Sequence, residues 1–214
     1  MRITVFGAAG NSGSRVVAEA LSRGHEVTAV VRDAARFPAL HPGATHRTGD
    51  AKNPSEVREL SADQDVVVNA TRPSPGHEAD HPAISRSLLA GLAGTGVRLL
   101  VIGGAGSLTV PGTEGVLAID DTRYIPTAWR AIASASTAQY DAVRTTDTDV
   151  DWTYLSPAAL FEPGVRTGEF RLFKDELPVA ADGTSSISME DLAVALLDEA
   201  ESPTHSRTRF AVGY

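Results

Sequence analysis

Ile3-Thr4-Val5-Phe6-Gly7-Ala8-Ala9-Gly10-Asn11-Ser12-Gly13 decides the fold. Four β-branched and aromatic residues lead into glycines spaced three apart, and Val16, Val17, Ala20 and Leu21 then recur with helical period. Strand, tight turn and helix in that order form the opening unit of a dinucleotide-binding domain. Gly7 is expected to turn the chain sharply out of the strand. Gly10 leaves room for a pyrophosphate against the backbone, with Ala9, Asn11 and Ser12 completing the cradle, and Gly13 lets the helix pack closely. The helix N-terminus turns its unpaired N–H groups toward the phosphates. Because the spacing is GxxGxxG, the glycines alone are a weak signal; their place between strand and helix gives them weight.

Outward from this stretch, Gly24 sits where a helix C-terminal cap belongs, and Glu26 to Val31 reads as a second strand. It ends at Arg32-Asp33, where the fold places the side chain that meets the adenosine ribose. Asp33 would suit a free 2′-hydroxyl. Arg32 stands first at the strand end and offers a planar fork to a 2′-phosphate, so NADP(H) is expected ahead of NAD. A third strand, Ala44 to Thr48, precedes Gly49-Asp50-Ala51, and Asn53-Pro54-Ser55-Glu56 starts a helix. Asp65 to Asn69 is an apolar strand suited to a parallel sheet, and its end, Asn69-Ala70-Thr71, should line the cofactor. A helix from near Pro82 to Ala93 and a strand from Arg98 to Ile102 follow, ending in Gly103-Gly104-Ala105-Gly106-Ser107. Residues 103–126 show little periodicity and are expected to form a functional loop. A helix over Ala128 to Thr145, a strand over Trp152 to Leu155 with Ser156-Pro157 at its end, and an irregular stretch over 163–180 come next. Ser188-Met189-Glu190-Asp191 reads as a capping box opening the last helix, and Arg209 to Val212 as the last strand.

Strand and helix alternate without internal repeat or low-complexity linker. The expectation is therefore α/β: one doubly wound Rossmann domain over 1–214 with a mostly parallel sheet. A small irregular region toward the C-terminus, about 157–187, together with 103–126, would supply the substrate side. No apolar run approaches the ~18–20 residues needed to span a bilayer, and no signal peptide is expected ahead of the first strand. The chain has no cysteine, which removes disulfides and thiol chemistry and suits a cytoplasmic enzyme. A net charge of -8 without a basic stripe argues against nucleic acid.

Taken together, these stretches resemble the atypical short-chain dehydrogenase/reductase-like proteins with a GxxGxxG turn. That group includes the NADH-flavin reductase-like and biliverdin/flavin reductase proteins and the NmrA-like redox sensors. The matching pieces are Gly7 to Gly13, Arg23 to Val27, Val31-Arg32-Asp33, Gly49-Asp50, Gly103 to Leu108, Asp151 to Ala158, Glu162-Pro163-Gly164 and Ile187 to Ala193. The resemblance implies that Asp50 sits by the adenine and that Gly103 and Ser156-Pro157 border the nicotinamide. It says much less about the substrate.

Short-chain dehydrogenases use a tyrosine with a lysine four residues later to move a proton. The only lysines here are Lys52 and Lys174, and neither follows a tyrosine by four. Tyr140 and Arg144 have the spacing with arginine instead, and read more simply as neighbours one turn apart on a helix. Reducing a ketone needs a placed proton donor, whereas a flavin accepts hydride at a ring nitrogen and can take its proton from water. Ser107 and Tyr124, in or beside the long loop, are the candidate catalytic hydroxyls.

His77-Glu78-Ala79-Asp80-His81 fits the letters of a zinc-protease motif. Pro73, Pro75 and Gly76 precede it, and Pro82 is expected to push His81 out of helical geometry and leave it as a cap. No metal site is expected, and Asp120-Asp121 reads as a solvated turn. The function expected is NADPH-dependent transfer of hydride to a small-molecule acceptor: a flavin, a quinone-like compound or another conjugated molecule. The alternatives are a non-catalytic NADP(H) sensor that reports to a protein partner, and an isomerase or dehydratase with a fixed cofactor.

Overall fold

The structure, a computed structural model, describes residues 1–214. β1 (Arg2–Phe6) passes through the glycine turn into α1 (Asn11–Ser22), and β2 (Glu26–Val31) returns. β3 (Thr45–Thr48), α2 (Pro54–Leu60), β4 (Val66–Asn69), α3 (Asp80–Leu92) and β5 (Arg98–Ile102) continue the alternation. After a long connection come α4 (Arg130–Thr145), β6 (Trp152–Pro157), β7 (Leu160–Glu162) and β8 (Arg171–Phe173). β9 (Ser186–Ser188), α5 (Met189–Glu201) and β10 (Thr208–Gly213) complete the chain.

Eight strands form one sheet in the order β3-β2-β1-β4-β5-β6-β10-β8. Every neighbouring pair is parallel except β10 with β8 at the edge. This is the expected Rossmann-like architecture. The strand order reverses between β1 and β4, and such a switch point opens a crevice beyond the carboxyl ends of the strands. β7 and β9 pair separately as a two-stranded parallel ribbon.

Both faces of the sheet are covered, which is why β4 and β5 read as unbroken apolar runs. Ile3, Val5, Val68, Leu100 and Phe210 pack with α1 and α5 on one face. Phe6, Val67, Leu99, Val101 and Tyr154 pack with α2, α3 and α4 on the other. Toward β10 that second face is covered by the long connection, through Ala105, Leu108, Val110, Ala118 and Ile125 against Leu177 and Ala211. The aperiodic stretch 103–126 thus stands in for a helix, folded down onto the sheet as part of the core.

Two local expectations are corrected. Asp80 is already helical, with Ala79 as the cap residue, so His81 lies inside the first turn of α3 and Pro82 at its third position. A proline is tolerated there because the first N–H groups of a helix have no intrahelical acceptor to lose. The capping box at α5 is half formed. Ser188 Oγ accepts from the Asp191 N–H, but the Asp191 carboxylate turns away to accept from Thr167 N–H, Gly168 N–H and the Tyr214 hydroxyl. The Ser188 N–H donates instead to Tyr214 Oη. Asp191 is fully buried, and these donors hold its carboxyl below the usual range against the opposing effect of burial.

Candidate functional site

The nucleotide cradle is built from the turn between β1 and α1. Gly7 has φ +83°, and a Cβ there would meet the Ala70 carbonyl oxygen at 2.6 Å. The end of β4 therefore closes directly on the turn, and the Ala70 N–H donates to the Phe6 carbonyl at 3.0 Å. A Cβ on Gly13 would lie 2.2 Å from the Gly7 carbonyl oxygen, so the helix presses on the turn itself. Gly10 differs: only the Gly7 oxygen lies within 4 Å of its Cβ position, at 3.2 Å, and the rest of that side is open. The first intrahelical bond runs from the Ser14 N–H to the Gly10 carbonyl. The N–H groups of Asn11, Ser12 and Gly13 come before it, at the positive end of the helix dipole, and no side chain caps them. An open space bounded by these donors fits a pyrophosphate.

At the adenosine end, the Asp33 carboxylate accepts the Ala35 N–H and caps a short helical turn, Ala34–Ala39. That turn brings Arg36 back over the cradle, where its guanidinium donates to the Ala9 carbonyl at 3.2 Å. Arg32 is exposed beside it. Arg36 was not legible in the sequence, because only the turn geometry after Asp33 returns it to Ala9. Asp50 is half-buried and accepts the Lys52 N–H, while its own N–H donates to Glu56. Ala51 is buried beneath it. Lys52 pairs with Asp80, a contact that lowers the Asp80 carboxyl below its ordinary value.

Farther along the sheet, Asn69 is fully buried, and its Oδ1 accepts both the Thr71 N–H and the Thr71 hydroxyl. Its Nδ2 has no partner. Gly103 donates to the Leu155 carbonyl, and a Cβ there would strike the Tyr154 ring. That ring is fully buried; its hydroxyl donates toward Ser136 O and Gln139 Oε1, and burial raises its pKa. Ser156 is buried with an unpartnered hydroxyl, and Pro157 ends β6 beside Val212.

The two candidate catalytic hydroxyls both lie in the long connection after β5. Ser107 Oγ accepts from Arg209 at 2.7 Å, and Arg209 also pairs with Asp175. Arg209 leaves the sheet at the level of Tyr154, two residues short of Ser156. Tyr124 is half-buried in the covering segment, with the Arg123 guanidinium 5.4 Å from its ring centroid. Tyr140 packs between Tyr154, at 4.9 Å, and Arg209, at 4.2 Å, while Arg144 pairs with Asp141.

Between the segment after β4 and the start of α4 lies a cleft of about 200 Å³, lined by Arg72, Pro73, Pro75, Glu78 and Ile132. Arg72 stands 5.7 Å from the exposed Trp129 ring. Arg72 directly follows Thr71 at the carboxyl edge of β4, a position that could have marked it in the sequence. No group of three or more His, Asp or Glu side chains is disposed to hold a metal ion. No helix is long and apolar enough to cross a membrane.

The chain is similar to an uncharacterised Bacillus subtilis protein, YwnB, with 39% identity over 99% of this chain and 98% of the relative. Among solved structures, a Burkholderia pseudomallei protein named "putative exported protein" is 37% identical with a TM-score of 0.88, each chain fully covered. A Streptococcus pneumoniae protein named "putative NADH-flavin reductase" is 31% identical with a TM-score of 0.88, covering 100% of this chain and 99% of that one. A family model described as NAD(P)H-binding matches residues 7–203, from the first glycine of the cradle to beyond α5. By that match and by its relatives, this chain belongs to the NAD(P)H-binding family.

Proposed function

We propose that the protein is an NADPH-dependent reductase that passes hydride to a flavin, a quinone-like compound or another conjugated acceptor. The observation that carries the reading is the state of Tyr140. It is the one tyrosine followed four residues later by a basic side chain, yet its ring is packed against Tyr154 and Arg209, and that side chain is an arginine, 5.9 Å from the ring and paired with Asp141. No residue there can both hold the nicotinamide ribose and relay a proton. An acceptor that draws its proton from water removes the need for one. The name carried by the S. pneumoniae relative supports the same chemistry.

Bound NADPH supplies the hydride. The chain's own residues would bind and orient it: the N–H groups of Asn11, Ser12 and Gly13 would meet the pyrophosphate across the space left open by Gly10. Arg32 and Arg36 flank the place of a 2′-phosphate, and Asp33, spent on capping, does not compete for the ribose. Gly103 and Ser156-Pro157, at the carboxyl ends of β5 and β6, would border the nicotinamide. The reading includes a cytoplasmic location, where NADPH is regenerated. The test is NADPH absorbance with flavin mononucleotide or menadione. Sustained oxidation above the buffer rate is expected. Tight NADPH binding without oxidation by either acceptor would transfer the protein to the sensor reading.

A further inference from the structure

Arg72 and Glu78 line one small cleft, about 200 Å³ beyond the end of β4, and do not pair with each other across it. The Arg72 guanidinium donates no hydrogen bond; its one close partner is the Trp129 ring, 5.7 Å away. The Glu78 carboxylate accepts the Gly76 N–H at 3.0 Å and has no side-chain partner. Elsewhere on the surface neighbouring opposite charges do join: Arg144 with Asp141, Arg130 with Asp120 and Arg47 with Glu59. A planar donor fork and a carboxylate left separate on one cleft suit a ligand that carries an acceptor and a donor together. The nearby His81 ring is buried and does not line the cleft. Its burial, reinforced by Arg72, lowers its pKa to about 4, so it brings no charge there at neutral pH.

Trp129 adds a stacking surface. It is 54% exposed, the only aromatic side chain of this protein left in solvent. It stands one residue ahead of α4 and three before Ile132, which lines the cleft, so the two share a side of that helix start. The position is also that of a ligand site. The wall carrying Arg72 and Glu78 runs on from β4, where the Ala70 carbonyl closes on the Gly7 turn of the cradle. The α4 wall packs on the segment after β5, the strand next to β4: a Cβ on Gly106 would meet the Ala133 carbonyl oxygen at 2.9 Å. The cleft therefore lies at the carboxyl ends of neighbouring strands, where this architecture binds its ligands.

We propose that the cleft seats the edge of the electron acceptor, and that this edge is a cyclic imide or lactam. Arg72 donates to its carbonyl oxygen, Glu78 accepts from the N–H beside it, and Trp129 stacks on the ring. The proposal rests on the reductase reading for the redox role of the ligand. Pockets that enclose a whole drug-sized ligand begin at ~300 Å³; this smaller cleft takes an edge and leaves the body of the ring to Trp129. A phosphate or carboxylate would suit Arg72 but meet the charge of Glu78, and a quinone would offer Glu78 no donor. A flavin ring carries the required edge on its pyrimidine side. The hydride comes from NADPH and the balancing proton from water, so Arg72 and Glu78 end the reaction unchanged.

The test uses the full-length protein saturated with NADP⁺, titrated with lumiflavin and with 3-methyllumiflavin, in which a methyl group replaces the imide proton. Binding is read from quenching of flavin fluorescence. Methylation is expected to weaken binding about tenfold or more, the loss of one hydrogen bond to a charged group. In Glu78→Ala the two flavins should bind alike, which makes the coupling specific to that carboxylate. Arg72→Met should weaken both flavins, Trp129→Leu should weaken both and relieve the quenching, and NADPH affinity should stay the same in all three. Equal affinity for the two flavins in the unaltered protein, or no binding of either, would overturn the inference. In both cases NADPH oxidation by menadione would leave the reductase reading standing. The expected pattern of binding without NADPH oxidation by lumiflavin or menadione would uphold the site and end the reductase reading.

Discussion

At the scale of single residues, the three glycines of the cradle have separable jobs. Gly13 has backbone 2.2 Å from where a Cβ would go, whereas Gly10 has little but open space. Gly13→Ala should therefore cost stability, about 1–3 kcal/mol as an overpacked contact, read as a fall in the denaturation midpoint. Gly10→Val should leave the midpoint nearly unchanged and abolish nucleotide binding in calorimetry; wild-type affinity in that variant would place the phosphates elsewhere. The two arginines divide similarly. A hydrogen bond to a charged group contributes about 1.5–3 kcal/mol, roughly ten- to a hundred-fold in affinity. Arg32→Ala and Arg36→Ala should each weaken NADPH within that range. Arg32→Ala should leave NADH nearly unchanged, while Arg36→Ala should cost NADH a little as well, because Arg36 also steadies the Ala9 carbonyl. Equal losses for both cofactors in Arg32→Ala would mark it as structural.

At the scale of elements, what could be read in the sequence follows how local its causes are. The cradle, the Asn53 cap with Pro54 behind it, and the apolar strands β4 and β5 are each specified by neighbours within a few residues, and each forms where the sequence puts it. Features set by distant partners were hidden. The fate of Asp191 depends on Thr167, Gly168 and Tyr214, and the covering role of 103–126 depends on Leu177 and Ala211. The contact of Gly103 with the Tyr154 ring is likewise set by a distant strand. The candidate site divides in the same way: its phosphate end was legible, and Arg36, returned to Ala9 only by the turn after Asp33, was not. On α4, the Tyr140 ring packs against Tyr154 and Arg209, and Arg144, near its face, pairs with Asp141. Tyr140→Phe should therefore lower kcat/KM less than about tenfold, a barrier change under ~1.4 kcal/mol. A general acid would be worth ~100-fold or more, so a steep drop with loss of the alkaline limb of the pH profile would reinstate a dyad.

At the scale of the whole molecule, acid should weaken the fold in two stages. The His81 pKa is lowered in the folded state, so the unfolded chain takes the proton first. Stability from this group is complete above the unfolded value of about 6.5 and drains away until the folded value is reached, a loss of about 3 kcal/mol. The window therefore runs from about pH 6.5 down to about pH 4. Glu199 gives the second stage. Burial pushes its carboxyl up, but hydrogen bonds from His205, Arg98 and Thr204 outweigh this and bring it to about 2. Its contribution is present above the ordinary carboxylate range and lost as pH falls toward 2. Urea midpoints measured from pH 7 to pH 3 should show a decline that begins above pH 5. His81→Leu should remove that upper part and spare the lower, and an unchanged upper part would mean that His81 does not set it.

The hold of Arg209 on Ser107 and Asp175 has a consequence for the order in which the molecule is made. A chain leaving the ribosome can fold from its N-terminal end as it emerges. β1 through β6 join the sheet in an order that lets each new strand find an earlier one already in place, so the phosphate cradle can form early. β10 arrives last, slots in beside β6, and only then supplies the guanidinium that pins residues 107 and 175 and the edge on which β8 pairs. Until β10 is in place, Ser107 and Asp175 lack that guanidinium and β8 lacks the one strand it pairs with, so a chain stopped short of Thr208 would leave both segments unpinned.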